Sequence, residues 1–256
     1  MIEDQYIFYF KTVQTNPIRI LFESLKNILS DVTFHVDSDG MKLTAVDGTK
    51  SSIVNLFLDS SKFEKFHCQK AINIGVNLTS IFKIVKSIKN ADTISFQVEK
   101  DNSNYLTIET VNSDKKAKIK TSVKLLDLDE QIINIPDIDF DYFITMPSSD
   151  FQNYISDLSI ISNELKISSN VDEFILSAKG DFAETSISIE QTNIKTKENL
   201  DKTSQNGVYN IKYLQLFSKS SNLCGSVEIY IKNEFPLTLI YNVANLGQIK
   251  YCLAPN

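Results

Sequence analysis

The feature that most constrains this chain is an internal repeat. Displacing the sequence against itself by 133 positions, the separation of Ile18 and Phe151, aligns Leu21 with Tyr154, Phe22 with Ile155, Leu25 with Leu158 and Ile28 with Ile161. These apolar positions recur at helical spacing and mark one helix face in each half. At the same displacement Val32 meets Leu165, Phe34 meets Ile167, Met41 meets Phe174, Leu43 meets Leu176, Val54 meets Ile187 and Leu56 meets Ile189. Here the apolar residues alternate, as strands require. The register holds through Asn77 with Asn210, Ile81 with Leu214, Ile84 with Phe217, Lys86 with Lys219, Ile94 with Val227, Phe96 with Ile229 and Leu106 with Leu239. Two half-chains therefore follow one plan: a helix, strands, a second helix, more strands.

The periodicity predicts helices over 17–29, 78–89, 148–161 and 210–221. Asn16 before Pro17, Asn77 before Leu78, and Ser148 or Ser149 before Asp150 are the expected N-caps. Asn77-Leu78-Thr79 also fits a glycosylation acceptor, but in a chain read as intracellular the cap is the better reading. Strands outnumber helices, and turn signals such as Ser38-Asp39-Gly40 separate them. The fold class is thus α+β: two repeated domains of antiparallel sheets, each with two helices packed on one side. The run Leu125 to Pro136 breaks the repeat and reads as a linker, which places domains at 1–124 and 142–256 with a connector at 125–141. Ile132, Ile133 and Ile135 are unusually apolar for a linker and need cover, either by docking on the domain surface or as part of a partner-binding groove.

Several function classes fall away on composition. No stretch approaches the 18 or more apolar residues of a membrane span, and Met1-Ile2-Glu3-Asp4 lacks the order of a signal peptide, so no membrane partner and an intracellular location are expected. Cys68, Cys224 and Cys252 lie far apart without a CxxC pair, and read as reduced, half-buried thiols. His35 and His67 read as structural. No metal site, cofactor site or oriented Ser-His-Asp group is visible, so the chain is read as no enzyme. Gly48-Thr49-Lys50-Ser51 lacks the earlier glycine of a phosphate-binding loop.

The net charge of −6 argues against a protein that coats nucleic acid with its whole surface, but not against one basic face. The first helix carries Arg19 and Lys26 against Glu23, the second Lys83, Lys86 and Lys89, and the fourth Lys212 and Lys219; the third carries only Asp150 and Asp157. The four together hold +4, so the rest of the chain, against a total of −6, holds −10. Lysines on an exposed helix face can simply keep a protein soluble. Their concentration on elements that the repeat places side by side, with no base-reading motif, points instead to phosphate contact without sequence readout.

Ile74-Gly75-Val76-Asn77-Leu78-Thr79-Ser80, Lys124 to Asp129, Ile135-Pro136, Met146-Pro147-Ser148 and Leu246 to Pro255 resemble the signature stretches of the eukaryotic-type sliding clamp, proliferating cell nuclear antigen (PCNA), in order along almost the whole chain. The resemblance implies a DNA-clamp fold and a homotrimeric ring that encircles double-stranded DNA, with helices lining the hole. It implies a polymerase processivity factor that tethers DNA polymerase and other replication and repair proteins, and is opened by a separate ATP-driven loader. It implies work in the nucleus, or in a viral replication compartment. Lys26, Lys83, Lys86, Lys212 and Lys219 match or nearly match the family's phosphate-facing positions. Partners of the family insert a motif with a glutamine and two aromatics; the pocket carried over is Val46, Ile133, Ile135, Pro236, Cys252, Ala254 and Pro255, with Lys50 beside it.

Departures from the family pattern are Cys252 in place of an aromatic, Lys50 in place of a histidine, Ser156 and Ile160 in place of basic residues on the third helix, and Val171 in place of a regulatory lysine. With an Asn-, Ile- and Lys-rich composition they suggest a viral or divergent protist source. The alternative function is a clamp-like subunit of a heterotrimer, or a non-ring processivity factor. The deciding feature is the pair of strand edges a ring must join: Lys115 to Lys120, with Lys116, Lys118 and Lys120, against Glu184 to Glu190, with Glu184, Ile187 and Glu190. Their opposite charges favour head-to-tail association.

Overall fold

The structure, a computed structural model, describes residues 2–88, 92–112, 117–129, 133, 140, 142–169, 173–190, 194–196 and 205–256. The first half runs α1 (Ile2–Gln5), β1 (Tyr6–Thr12), α2 (Thr15–Lys26), β2 (Asp31–Val36), β3 (Gly40–Val46), β4 (Ser52–Asp59), β5 (Lys65–Cys68), β6 (Ile72–Asn77), α3 (Leu78–Val85), β7 (Asp92–Glu99), β8 (Tyr105–Asn112) and β9 (Ala117–Lys124). The second runs β10 (Tyr142–Pro147), α4 (Ser148–Ser159), β11 (Glu164–Ser169), β12 (Glu173–Lys179), β13 (Glu184–Glu190), β14 (Ile194–Thr196), β15 (Gln205–Asn210), α5 (Ile211–Phe217), β16 (Ser226–Ile231), β17 (Leu237–Val243) and β18 (Gly247–Leu253). Displacement by 133 carries the bounds of α2 onto α4, β2 onto β11, β3 onto β12 and β6 onto β15 with no residual shift.

The chain forms two compact units, one of Met1–Ala45, Asn55–Ile133 and Asn242–Ile249, the other of Val46–Val54, Asn134–Tyr241 and Lys250–Asn256. The first holds a five-stranded sheet of order β5-β1-β7-β8-β9 and a second run of order β4-β3-β2-β6. The second half of the chain repeats both plans, as β14-β10-β16-β17-β18 and as β13-β12-β11-β15. The recorded pairings are antiparallel, which suits strands with one apolar and one polar face.

Each helix pair covers the apolar face of its sheets. Phe22 of α2 stacks on Phe96 of β7, with ring centres 5.8 Å apart, and Phe96 stacks on Phe10 of β1 at 4.8 Å. Burying each such ring contributes roughly 2–3 kcal/mol. In the second unit Phe217 stacks on Tyr251 at 4.6 Å, and the Tyr251 hydroxyl is satisfied by Ser220 at 2.7 Å. The aligned strands β4 and β13 differ in burial. Val54 and Leu56 are 0% exposed, whereas Ile187 and Ile189 are only half-buried. The cause is position, since β4 has a paired strand on either side and β13 is outermost.

The helices depart from expectation at their ends. Asn77 does cap α3: its Oδ1 accepts from the Ser80 amide at 2.9 Å, and its Nδ2 donates to Asp31 at 2.7 Å. Asn16 does not cap α2, which starts one residue earlier at Thr15 with Gln14 in the cap position and no side-chain cap. Pro17 then lies in the first turn, where a missing N–H costs nothing, and the Asn16 side-chain Oδ1 accepts from the Arg19 guanidinium. Neither Ser148 nor Ser149 caps α4. The cap position is Pro147, and the Ser148 amide is taken by the Gly225 carbonyl at 3.1 Å. α3 stops at Val85 and α5 at Phe217, the latter continued by a 3-10 turn over Ser218–Leu223. Both ends carry a serine hydroxyl that turns back onto a helix carbonyl, Ser87 onto Ile84 (3.2 Å) and Ser218 onto Gln215 (3.1 Å), and so competes with further α-helical bonding.

The start of the linker docks on the first unit: Leu125 donates to the Asn104 carbonyl and Leu126 to the Gly75 carbonyl, each at 2.9 Å. Gly75 is required there because a Cβ would stand 2.1 Å from the Leu126 carbonyl oxygen. Ile133 is half-buried, while Ile132, Ile135 and Pro136 lie outside the described residues. Cys68 and Cys224 are half-buried free thiols; Cys252 is buried rather than half-buried, and burial raises its pKa.

Candidate functional site

The basic helical residues fall into two groups, one per unit. On α2, Arg19, Glu23 and Lys26 follow one another at helical spacing on the half-buried side, opposite the buried Ile18, Leu21, Phe22 and Leu25. On α3, Ile81 and Val85 are fully buried while Lys83 and Lys86 are exposed. The Lys26 ammonium sits 4.7 Å from the centre of the Phe82 ring, which joins α2 to α3 through a cation–π contact. Phe82 and Lys86 are one helical turn apart, so this contact brings the Lys26 charge to the Lys86 side of α3. In the second unit Lys212 and Lys219 are exposed. α4 offers no basic group; its Gln152 accepts from Ser221 (2.7 Å), its Ser159 accepts from Gln215 (2.8 Å), and Ile160, just beyond it, is 72% exposed. Lys89 lies outside the described residues.

The two strand edges anticipated from charge are both outermost in their sheets: β9 ends the five-stranded sheet and β13 ends the four-stranded one. On β9, Ile119 is 63% exposed, beside a groove of about 200 Å³ lined by Lys83, Ile84, Ile88, Ile108 and Ile119. The charges are partly engaged within their own sheets. Lys118 pairs with Glu109 at 2.9 Å, Lys120 approaches Glu109 at 3.7 Å and Glu99 at 3.9 Å, and Lys179 pairs with Glu184 at 3.5 Å. Surface pairs of this kind are worth little, so unpaired backbone and apolar side chains matter more at these edges than net charge. Glu190 is exposed and Ile187 half-buried; Lys115, Lys116 and Val171 lie outside the described residues.

Of the residues carried over to a peptide pocket, Val46, Lys50, Pro236, Cys252, Ala254 and Pro255 all belong to the second unit, and Ile133 to the first. Val46 and Pro236 are half-buried; Lys50, Ala254 and Pro255 are exposed. The Ala254 amide donates to the Ser51 carbonyl at 3.0 Å, and the Cys252 thiol accepts from Thr238 at 3.5 Å. Asp47, 5% exposed, anchors the turn that carries Lys50. Burial opposes its ionisation, but the hydroxyls of Thr49 and Tyr213 and the amides of Thr49 and Ser52 prevail and hold its pKa at about 2. Sequence reasoning missed this network. The spacing of Asp47, Thr49 and Ser52 is a legible Asx-turn signal, whereas Tyr213, 166 positions away, carries none.

Among the described residues no three His, Cys, Asp or Glu side chains gather as a metal site, and no helix is long and apolar enough to cross a membrane. Residues 7–132 match the family profile described as proliferating cell nuclear antigen, N-terminal domain, and residues 134–256 match that of the C-terminal domain. Among curated proteins, the chain is 34% identical to the probable DNA polymerase sliding clamp 1 of Paramecium bursaria Chlorella virus 1, over 261 aligned residues covering 100% of this chain and 99% of that protein. It is 29% identical to the proliferating cell nuclear antigen of Chaetomium thermophilum over 247 residues, covering 94% of this chain and 95% of the relative.

Proposed function

The chain belongs to the proliferating cell nuclear antigen family, and we propose that three copies close head to tail into a ring around duplex DNA. The protein is a sliding clamp, a DNA polymerase processivity factor whose role is to hold other proteins on the template. The ring itself is supported by one observation. Within the chain β18, the last strand of its half, pairs with β4, with Ala254 bonded to Ser51 at one end and Asp59 bonded to Leu246 at the other. Their repeat counterparts are β9 and β13, and each of these is an outermost strand of its sheet. A junction of the same kind between β9 of one copy and β13 of the next satisfies both edges. Because it is heterologous, it passes from copy to copy head to tail, and a rotation of one third of a turn per copy closes it at three.

In this reading Arg19, Lys26, Lys83, Lys86, Lys89, Lys212 and Lys219 face the phosphates of the enclosed duplex. Few cations suffice, since encirclement prevents dissociation while weak, salt-sensitive contacts let the ring slide. The connector is 125–141, between domains 1–124 and 142–256. Val46, Lys50, Ile133, Ile135, Pro236, Cys252, Ala254 and Pro255 receive a partner motif with a glutamine and two aromatics, an apolar pocket filled by aromatic anchors. A separate ATP-driven loader opens the ring, in the nucleus or in a viral replication compartment. Light scattering tests the assembly: the purified chain is expected at three times its 29.0 kDa mass, and Ile119→Asp, which puts a charge on the exposed apolar edge, is expected to give monomers. A wild-type chain that stays monomeric at micromolar concentration refutes the homotrimer, and trimerisation only on addition of another chain establishes the heterotrimer instead.

A further inference from the structure

We propose that the Tyr213 hydroxyl and the Asp47 carboxylate form a latch that fixes the 47–52 turn, and through it the C-terminal tail, in the shape that receives a partner peptide. The inference rests on the pocket assigned above and deepens it. Both carboxylate oxygens of Asp47 are filled. Oδ1 accepts from the Ser52 amide (2.6 Å) and hydroxyl (3.1 Å), and Oδ2 from the Thr49 amide (2.9 Å), the Thr49 hydroxyl (2.6 Å) and the Tyr213 hydroxyl (2.7 Å). Four of these five donors belong to the turn itself. Tyr213 is the one that ties it to α5, whose place is set by the buried Ile211, Leu214 and Phe217.

The turn so held is not a relaxed one. Lys50 has φ 61°, a left-handed backbone that a non-glycine residue keeps only when its surroundings dictate it. In that conformation the turn presents the Ser51 carbonyl to the Ala254 amide, so the segment bearing Lys50 and the tail bearing Ala254 and Pro255 are fastened together. The latch is no part of the repeated plan. The positions equivalent to Asp47 and Tyr213 are Gly180 and Ser80, and the turn at Gly180 is closed by its own backbone, Gly180 to Ala183 at 2.9 Å, and by the flanking Lys179–Glu184 ion pair, with no carboxylate at its first position. Tyr213 and Asp47 are therefore positioning residues, with no carboxylate or phenol at the equivalent positions Gly180 and Ser80.

Tyr213→Phe removes the hydroxyl and keeps the ring that packs against Phe217. A labelled synthetic peptide containing one glutamine and two adjacent phenylalanines, read by fluorescence anisotropy on the full chain, is expected to bind the variant about tenfold more weakly, the scale of one hydrogen bond to a charged group. Hydrogen exchange at the Ala254 amide is expected to quicken, while exchange in β16 and β17 and the oligomer mass stay as in the wild type. Equal peptide affinity in the two proteins overturns the latch, as does weaker binding with unchanged Ala254 exchange. A wild-type chain that does not bind the peptide overturns the pocket reading, and the latch with it. Should Tyr213→Phe lose the oligomer, Asp47→Asn carries the same expectations and the same refutations.

Discussion

Where the two helices of the first unit meet, the Lys26 ammonium lies over the Phe82 ring at 4.7 Å. The same two places in the second unit, 133 residues on, are held by Ser159 and Gln215, joined by a hydrogen bond of 2.8 Å. Arg19 and Glu23 likewise become Gln152 and Ser156. The repeat thus conserves which positions touch, not what chemistry joins them. One seam is built around a cation, and the other is neutral and satisfied internally. In the proposed ring this makes the lining uneven, with α2 and α3 supplying positive charge, α5 and its 3-10 extension supplying Lys212 and Lys219, and α4 supplying none.

The largest expected effect separates the halves at position 75 and its equivalent 208. Gly75 and Val208 each accept one backbone hydrogen bond, from Leu126 and from Asn256 respectively, at 2.9 Å. Only at Gly75 would a side chain strike the docked carbonyl. Gly75→Val is expected to cost about 3 kcal/mol in urea unfolding and Val208→Gly about 1 kcal/mol or less; equal costs would mean that the two segments dock alike. Next in size is the lining. Lys83→Ala combined with Lys86→Ala is expected to lower polymerase stimulation about tenfold at physiological salt and to flatten the salt dependence of DNA retention. Gln152→Ala with Ser156→Ala is expected to change stimulation less than about twofold on the same grounds. Matching losses from the two pairs would make the lining even. The smallest effect is at the seams themselves. Lys26→Met and Ser159→Ala should each cost about 0.5–1 kcal/mol and add in the double variant, since each lies within its own unit. A coupling above about 0.5 kcal/mol in that cycle would show that the two seams are not independent.

Much of this was legible in the chain. Ile18, Leu21, Phe22 and Leu25 announce a helix by spacing, Val54 and Leu56 a strand by alternation, and Asn77 a cap by chemistry, and each behaves so in the structure. Asn16 and Ser148 misled because a cap depends on where the backbone enters the helix, and at Ser148 that is set by pairing with Gly225. The lysines of β9 read as a basic edge for head-to-tail association, yet Glu109 and Glu99 reach them across the sheet. The pairing of β8 with β9 decides that, and charge along one strand cannot reveal it.

The repeat and the α+β class were legible in the chain because hydrophobic period and turn chemistry act over a few residues and are written locally. The family was carried by the resemblance of its signature stretches, while the strands that open each half, β1 and β10, were not foreseen. Only the tertiary structure decided that β4 is enclosed while its counterpart β13 is open, that Gly75 admits no side chain, that Lys26 rests on Phe82, and that Tyr213 reaches Asp47. Each of these depends on which distant segments become neighbours. That is settled by the packing of whole sheets and helices and leaves no period in the chain to read.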